Sequence, residues 1–409
     1  MKNIVCLAVF LMLPGLSFAK GTQNPADTIP FRYENNMIIV QVEVKGKSRN
    51  FFFDTGAPTL ISKELKEELN LDAVASKIIT DANLKNTEVK AVRLPSLTIG
   101  NIKVDDMPVT VIDIHKTIPQ LSCLSIEGFL GLDAFKRKVV QIDLQNKRLV
   151  VSGNPSLLKT DERFANKMIL LKAQNAVLVE VKFGDVFVEN ALFDTGMTGG
   201  LYSIADQTYQ YVNKATPLDR YIVARGYGAV SKVASGTEAE SEKMRLKFEE
   251  MNIGLANIKN PVTNTGNHPY SLLGVQVLKY GTVTLDFINE RFYFEPLVGS
   301  NEVLPTKTAG FELKVEKNEF LVGIVWQNSV AEKEGLKAGY KIIEYGSKKV
   351  EKLSQAEVCD LLYSDPKEGQ VQKKDLKLKF IDDKGNIRAL VLPMVDLFQN
   401  AIPMNNKKD

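Results

Sequence analysis

The tripeptide Asp-Thr-Gly occurs twice, as Asp54-Thr55-Gly56 and as Asp194-Thr195-Gly196. Each copy ends an apolar run that closes in Phe: Phe51-Phe52-Phe53 before the first, Ala191-Leu192-Phe193 before the second. By chance the tripeptide should appear in roughly one chain in fifteen of this length, and twice in far fewer than one in a hundred. Two carboxyls delivered by one local structure, used twice, suit joint acid and base work. Like charges brought close cannot both ionise easily, so such a pair holds one proton between its members. The ionised member takes a proton from a water, and the protonated member bonds to a scissile carbonyl. Peptide hydrolysis then needs no metal, no cofactor and no covalent intermediate. The Thr after each Asp offers a hydroxyl that can bond across the two turns. The Gly lets the backbone turn sharply and bring its N–H to the carboxylate.

The elements that would position this pair also come twice. Val42-Glu43-Val44-Lys45 leads through a turn at Gly46 to the first Asp, and Val179-Glu180-Val181-Lys182 leads through Gly184-Asp185 to the second. Alternating apolar residues, a Gly turn and a return strand predict a β-hairpin in each place. Downstream, Gly128-Phe129-Leu130-Gly131 precedes Val139 to Asp143 and Arg148 to Val151. Leu272-Leu273-Gly274 precedes Val283 to Asp286 and Arg291 to Phe294 in the same order. Gly131 and Gly274 are 143 residues apart, as are Asp143 and Asp286, while the two tripeptides are 140 apart. A near-constant offset in one order predicts an internal duplication with small loop insertions. Helix candidates are few. Ser62 is expected to cap a short helix with Leu65 and Leu69 inward, and Ser203 stands in the matching place before Ile204 to Val212.

These residues resemble those of a retropepsin-like aspartic protease, in its bacterial single-chain form with two fused lobes. The resemblance covers roughly residues 28 to 297. It rests on Phe53-Asp54-Thr55-Gly56-Ala57 with Phe129-Leu130-Gly131, and on Phe193-Asp194-Thr195-Gly196 with Leu272-Leu273-Gly274. It implies a catalytic dyad of Asp54 and Asp194, supported by Thr55, Gly56, Thr195 and Gly196, with the apolar-apolar-Gly segments bracing the Asp turns from behind. Met197 departs from the pattern, standing where a small residue usually sits. It either packs into an irregular gap, narrows the site or marks weakened activity. A substrate-covering flap is expected at Gly226-Tyr227-Gly228-Ala229, with Tyr227 and Gly228 as contacts, and more weakly at 81–90.

The C-terminal stretch reads Phe320-Leu321-Val322-Gly323-Ile324-Val325, then Ser329 to Gly339, then Ile342 to Gly346. It resembles a PDZ domain of the bacterial protease-associated type, with Tyr340 in place of the usual Asp. The resemblance implies a peptide ligand added as a strand beside Phe320, Leu321 and Val322, under a groove helix from Leu353 to Tyr363.

The expected fold is therefore mainly β: two duplicated acid-protease lobes forming a pseudo-dimer (28–152 and 165–297) and a PDZ domain (309–396). Residues 1–19 are expected to be a signal peptide, from Lys2, the apolar stretch Ile4 to Leu13 and the small residues of Ser17-Phe18-Ala19. That predicts an exported, periplasmic or secreted protein with no membrane span after cleavage. A net charge of +3 without a long basic run argues against nucleic acid as a partner. Two histidines, His115 and His268, lack metal-ligand spacing. Cys123 and Cys359 fall in different domains, so a disulfide between them is possible but not expected, and the sequence does not decide it. The function expected is an aspartic endopeptidase acting on peptide or protein substrates. The competing expectation is a catalytically weak or inactive peptide-binding protein that retains the fold.

Overall fold

The computed structural model describes residues 26–80, 86–172, 175–230, 232–233, 236–297, 307–316, 318–346, 348–363 and 375–396. The expected signal peptide, and 81–85 of the weaker flap candidate, lie outside the described residues. The chain is mainly β, built into two large sheets and two short ladders. Among the described residues no helix is long and apolar enough to cross a membrane.

The first Asp is carried by a hairpin of β1 (Met37–Val44) and β2 (Lys47–Phe53), in register from Ile39 opposite Phe52 to Val44 opposite Lys47. Alternation decides the face: Ile38, Val40, Val42 and Val44 are buried, and Gln41 and Glu43 are exposed. β3 (Ile126–Leu130) runs parallel to β2, with Phe53 opposite Leu130. The second Asp ends a hairpin of β4 (Ala176–Phe183) and β5 (Phe187–Asp194). Beyond these, β6 (Ile222–Gly228) pairs antiparallel with β7 (Ser241–Lys247). β8 (Leu272–Gly274) lies parallel to β5, with Phe193 opposite Leu273 and Asp194 opposite Gly274. A parallel neighbour of this kind needs a crossover of about a dozen residues or more, and the bracing strand begins at Ile126, 72 residues after Asp54, and at Leu272, 78 residues after Asp194.

The two Asp-bearing units are joined by a sheet. The strand Val139–Asp143 pairs antiparallel with Gly281–Asp286, setting Val140 opposite Leu285 and Ile142 opposite Val283. Gln141 Nε2 donates to Thr284 Oγ1 across this junction at 3.1 Å. One continuous apolar core runs through both units and includes Phe51, Phe53, Phe193 and Phe292, all fully buried. Each such phenyl contributes about 1.5–3 kcal/mol by leaving water. Asp143 and Asp286, which end the joining strands, are turn formers: Asp143 takes bonds from Asn146 and Arg148, and Asp286 from Ile288 and Asn289.

The C-terminal unit has its own core, including Phe311, Phe320, Val322, Ile342 and Phe380. β9 (Phe311–Glu316) and β10 (Glu319–Trp326) form a hairpin, Ser329 caps a one-turn helix (Val330–Lys333), and α1 (Gln355–Tyr363) follows. Tyr340, the departure noted in the sequence, stacks on Phe380 at 5.6 Å between centroids.

Three expectations are corrected here. Cys123 and Cys359 are joined by a disulfide with a Cα–Cα distance of 5.3 Å. Packing of α1 against the 3-10 turn Pro119–Leu124 brings together residues 236 positions apart. Ser203 caps no helix: it lies in the strand Tyr202–Ala205, and the helix Asp206–Ala215 starts without a side-chain cap bond. Its counterpart Ser62 does cap, accepting from Leu65 N–H at 3.0 Å. Finally, Phe320, Leu321 and Val322 offer no open strand edge. On one side β10 is paired along its length with β9. On the other, Phe320 and Leu321 face Ile342 and Lys341, and Val322 exchanges bonds with Tyr340 and Gly339. A peptide cannot add to an edge whose N–H and C=O groups already have partners.

Candidate active site

The ends of β2 and β5 bring Asp54 and Asp194 face to face. Within each turn the Gly N–H donates to its own Asp carboxylate, Gly56 to Asp54 Oδ1 at 3.0 Å and Gly196 to Asp194 Oδ1 at 2.8 Å. A methyl group on Gly56 would lie 2.6 Å from the Asp194 carboxyl carbon, and one on Gly196 would lie 2.5 Å from Asp54 Oδ2. Each glycine is thus the floor against which the other turn's carboxyl rests, and neither position tolerates a side chain.

The separation is fixed by the two threonines, both fully buried. Thr55 Oγ1 donates to the Phe193 carbonyl at 2.7 Å and accepts from the Thr195 N–H at 2.9 Å. Thr195 Oγ1 donates to the Phe53 carbonyl at 2.7 Å and accepts from the Thr55 N–H at 3.0 Å. Each hydroxyl is therefore satisfied both ways in a dry interior, and four bonds lock one turn to the other.

From behind, Asp54 N–H donates to the Leu130 carbonyl at 3.0 Å. Gly274 N–H donates to Leu201 at 2.9 Å, and Leu192 N–H to Ser271 at 2.8 Å. Asp133, unnoticed in the sequence, completes the first brace. Its carboxylate accepts from the Thr59 N–H and hydroxyl, at 3.0 and 2.6 Å from Oδ1, and that hydroxyl accepts from Gly131 N–H at 3.1 Å. The signal available was Gly131-Leu132-Asp133 directly after the apolar-apolar-Gly segment. Met197 packs on the second brace: its side chain joins the cluster of Ala176, Leu178, Leu192 and Leu272. Its bulk goes into the scaffold behind the carboxyl.

Asp54 is 7% exposed, and Asp194 is more open. The two carboxyls lie within hydrogen-bonding reach of each other. Burial, and then the charge of Asp194, push Asp54 well above the usual carboxylate range. Burial also raises Asp194, against the bonds from Gly196, Asp54 and Met197. The pair therefore keeps a proton at pH values where isolated carboxylates have lost theirs, and titrates as a unit. It can activate a water on one side and donate to a carbonyl on the other.

Tyr227 and Gly228 fall elsewhere. The stretch Gly226-Tyr227-Gly228 is the end of β6, not a loop tip, and its glycines answer to β10. A methyl on Gly228 would sit 1.9 Å from the Gly323 carbonyl, and one on Gly226 would sit 2.8 Å from the Trp326 ring. Tyr227 is 56% exposed, and among the described residues nothing bonds it to either carboxyl.

Ser203, displaced from its expected capping role, bonds His268: Oγ lies 2.8 Å from Nε2, while Nδ1 lies 2.7 Å from the Tyr270 carbonyl. Burial lowers the His268 pKa from 6.5 to about 4. The unfolded chain takes up this proton near 6.5 and the folded one only near 4, so stability falls as pH drops through that window and is unaffected above it. His268→Gln is expected to flatten the dependence of the thermal midpoint on pH between those values. A slope equal to that of the parent would contradict this.

A family model described as "Aspartyl protease" matches residues 40–134, a span that holds Asp54 and the Gly131 brace and stops short of Asp194. No curated protein matches the chain. Among solved structures, Basic 7S globulin from soybean is similar at 12% identity, over 66% of this chain and 95% of that chain, with a TM-score of 0.37. That likeness is too slight to carry an argument.

Proposed function

We propose that the chain is an exported aspartic endopeptidase in which Asp54 and Asp194 share a proton and activate a water. The observation that carries this reading is the reciprocal locking of two Asp-Thr-Gly turns, with their carboxyls in hydrogen-bonding reach and raised in pKa. The ionised oxygen draws a proton from the water, the protonated one bonds to the peptide carbonyl, and the tetrahedral intermediate collapses as the nitrogen takes a proton. The match to the aspartyl protease family supports the first half of the site.

The rest of the reading follows from the same frame. Each unit runs hairpin, Asp-Thr-Gly, parallel apolar strand, 3-10 turn and closing hairpin in one order, which supports a duplicated retropepsin-like pair of lobes. The capped turn at Ser329 and the strand and helix order after it support a PDZ-type unit at 309–396. The leader-like pattern expected at 1–19 is consistent with export. So is the Cys123–Cys359 disulfide, since such bonds persist mainly in oxidising compartments. The non-catalytic alternative is weakened on one count, since Met197 packs with Ala176, Leu178, Leu192 and Leu272, and it keeps the other, since the flap candidate Tyr227-Gly228 lies in a strand paired with β10.

The test is a peptide mixture digested in heavy-oxygen water at acidic to neutral pH. The heavy label is expected in the new carboxylate, with no acyl transfer to an added amine. Transfer to the amine would indicate a covalent intermediate and defeat the mechanism. Peptide binding without turnover across the whole range would favour the non-catalytic reading.

A further inference from the structure

We propose that the C-terminal unit is a redox-released strap, sewn into β6 of the middle unit and tied covalently to the N-terminal unit. The middle-unit seam is a continuous sheet. Gly226, Tyr227 and Gly228 of β6 pair with Trp326, Val325 and Ile324 of β10. The Gln327 N–H donates to the Arg225 carbonyl at 2.7 Å, and the Ala229 N–H to the Gly323 carbonyl at 3.0 Å. Side chains close the seam: Arg245 of β7 reaches Glu312 of β9 at 2.6 Å, with its guanidinium 4.5 Å from the Trp326 ring. Gly226 and Gly228 permit this approach, as the contacts of an added methyl show.

Through α1 and β9 the unit also holds the Pro119–Leu124 turn. Gln355 of α1 donates to Ser122 Oγ at 3.0 Å, Gln120 Nε2 donates to the Val315 carbonyl at 3.3 Å, and Cys359 is bonded to Cys123. The N-terminal unit carries Asp54 and the middle unit carries Asp194, so the strap spans the two halves of the dyad. While the disulfide stands, β6 cannot move away from the N-terminal unit unless the whole C-terminal unit yields. Without it, that side keeps non-covalent ties, among them the Gln355 and Gln120 bonds and the contacts between α1 and the turn. Both cysteines are partly exposed, so a dithiol can reach them. In the exchange the S–S bond breaks and both sulfurs become thiols. The dithiol gives up two electrons and two protons and closes to its own disulfide.

The functional consequence rests on the peptidase reading above, in which Asp54 and Asp194 stand in the two units that the strap joins. Releasing the strap removes a covalent tie between the units that carry the two carboxyls and thereby changes how firmly the dyad is held. The strap itself is tested independently of that reading, by hydrogen exchange of the full chain with and without dithiothreitol and in the Cys123→Ala/Cys359→Ala variant. Amides of 222–228 and 319–327 are expected to exchange about tenfold or more faster in the reduced protein and in the variant. Amides of 37–53 should hold their rates, and dithiothreitol should add nothing to the variant. Unchanged exchange at 222–228 in both reduced forms would overturn the strap. Acceleration spread equally to 37–53 would also overturn it, as the mark of general destabilisation. Peptide cleavage measured on the same samples separates the two ideas. Altered exchange with altered kcat/KM upholds both. Altered exchange with no cleavage in any form keeps the strap and removes the peptidase reading.

Discussion

Asp54→Asn is expected to all but abolish peptide hydrolysis, lowering kcat by about 10²–10⁴-fold, while leaving the fold intact. The amide is close to isosteric with the carboxyl, so the Gly56 N–H keeps an acceptor and Asp194 keeps its neighbour. What disappears is the exchange of one proton between two oxygens. Asp54 is raised by burial and then by the charge of Asp194, so activity should be lost as pH rises through the raised value and the pair surrenders its shared proton. The substitution acts on stability in the opposite direction from activity. An acid whose folded pKa lies above its unfolded value makes the folded state progressively less stable as pH climbs between the two. Removing one of the pair should therefore leave the unfolding midpoint at pH 7 equal to or above that of the parent. Cleavage assays and thermal melts on one preparation test both halves. Normal turnover by Asp54→Asn would remove the dyad from the mechanism, and a collapsed melt would mean that lost activity says nothing about protons.

Thr55→Val should produce the largest loss of stability of any single conservative change at the site. Valine keeps the shape of threonine and deletes only the hydroxyl. The Thr195 N–H then has no acceptor and the Phe193 carbonyl no donor, both at a fully buried junction. Each stranded group costs about 1–3 kcal/mol, so the change should cost roughly 2–6 kcal/mol. Total stabilities of roughly 5–15 kcal/mol leave little margin for that. Thr55→Ser restores the hydroxyl and should recover most of the loss, which separates the hydrogen bonds from the packing of the methyl. Denaturant unfolding reads the difference. A Val variant within about 0.5 kcal/mol of the parent would show that the cross-turn bonds do not hold the units together. Thr195→Val should behave alike, because its hydroxyl makes the reciprocal pair with Phe53 and Thr55.

How much of this was legible beforehand depended on distance along the chain. The hairpins before each Asp were readable because alternation and a Gly turn are local properties, and the buried Ile38, Val40, Val42 and Val44 follow that alternation. Ser62 capped as expected because a cap needs only its own first turn. Ser203 did not, because the strand runs on to Ala205 and the helix starts only at Asp206, and its hydroxyl bonds His268, 65 residues away. Gly226 and Gly228 looked like loop chemistry, yet their reason is the backbone of β10, about a hundred residues downstream. Asp133 was passed over because its partner, Thr59, lies 74 residues earlier.

Alone, the sequence determined which residues could do chemistry: two Asp-Thr-Gly turns, each at the end of a hairpin, with an apolar-apolar-Gly segment to stand behind each. Those are consequences of side-chain period, turn geometry and repetition, and they need no knowledge of the rest of the chain. Tertiary structure alone decided what meets what. It put two carboxyls against each other's glycines, closed β10 on both edges, and brought Cys123 to Cys359 across 236 positions. Pairing of strand edges and sulfurs is set by which surfaces are buried together, and burial belongs to the whole fold, not to any segment of it.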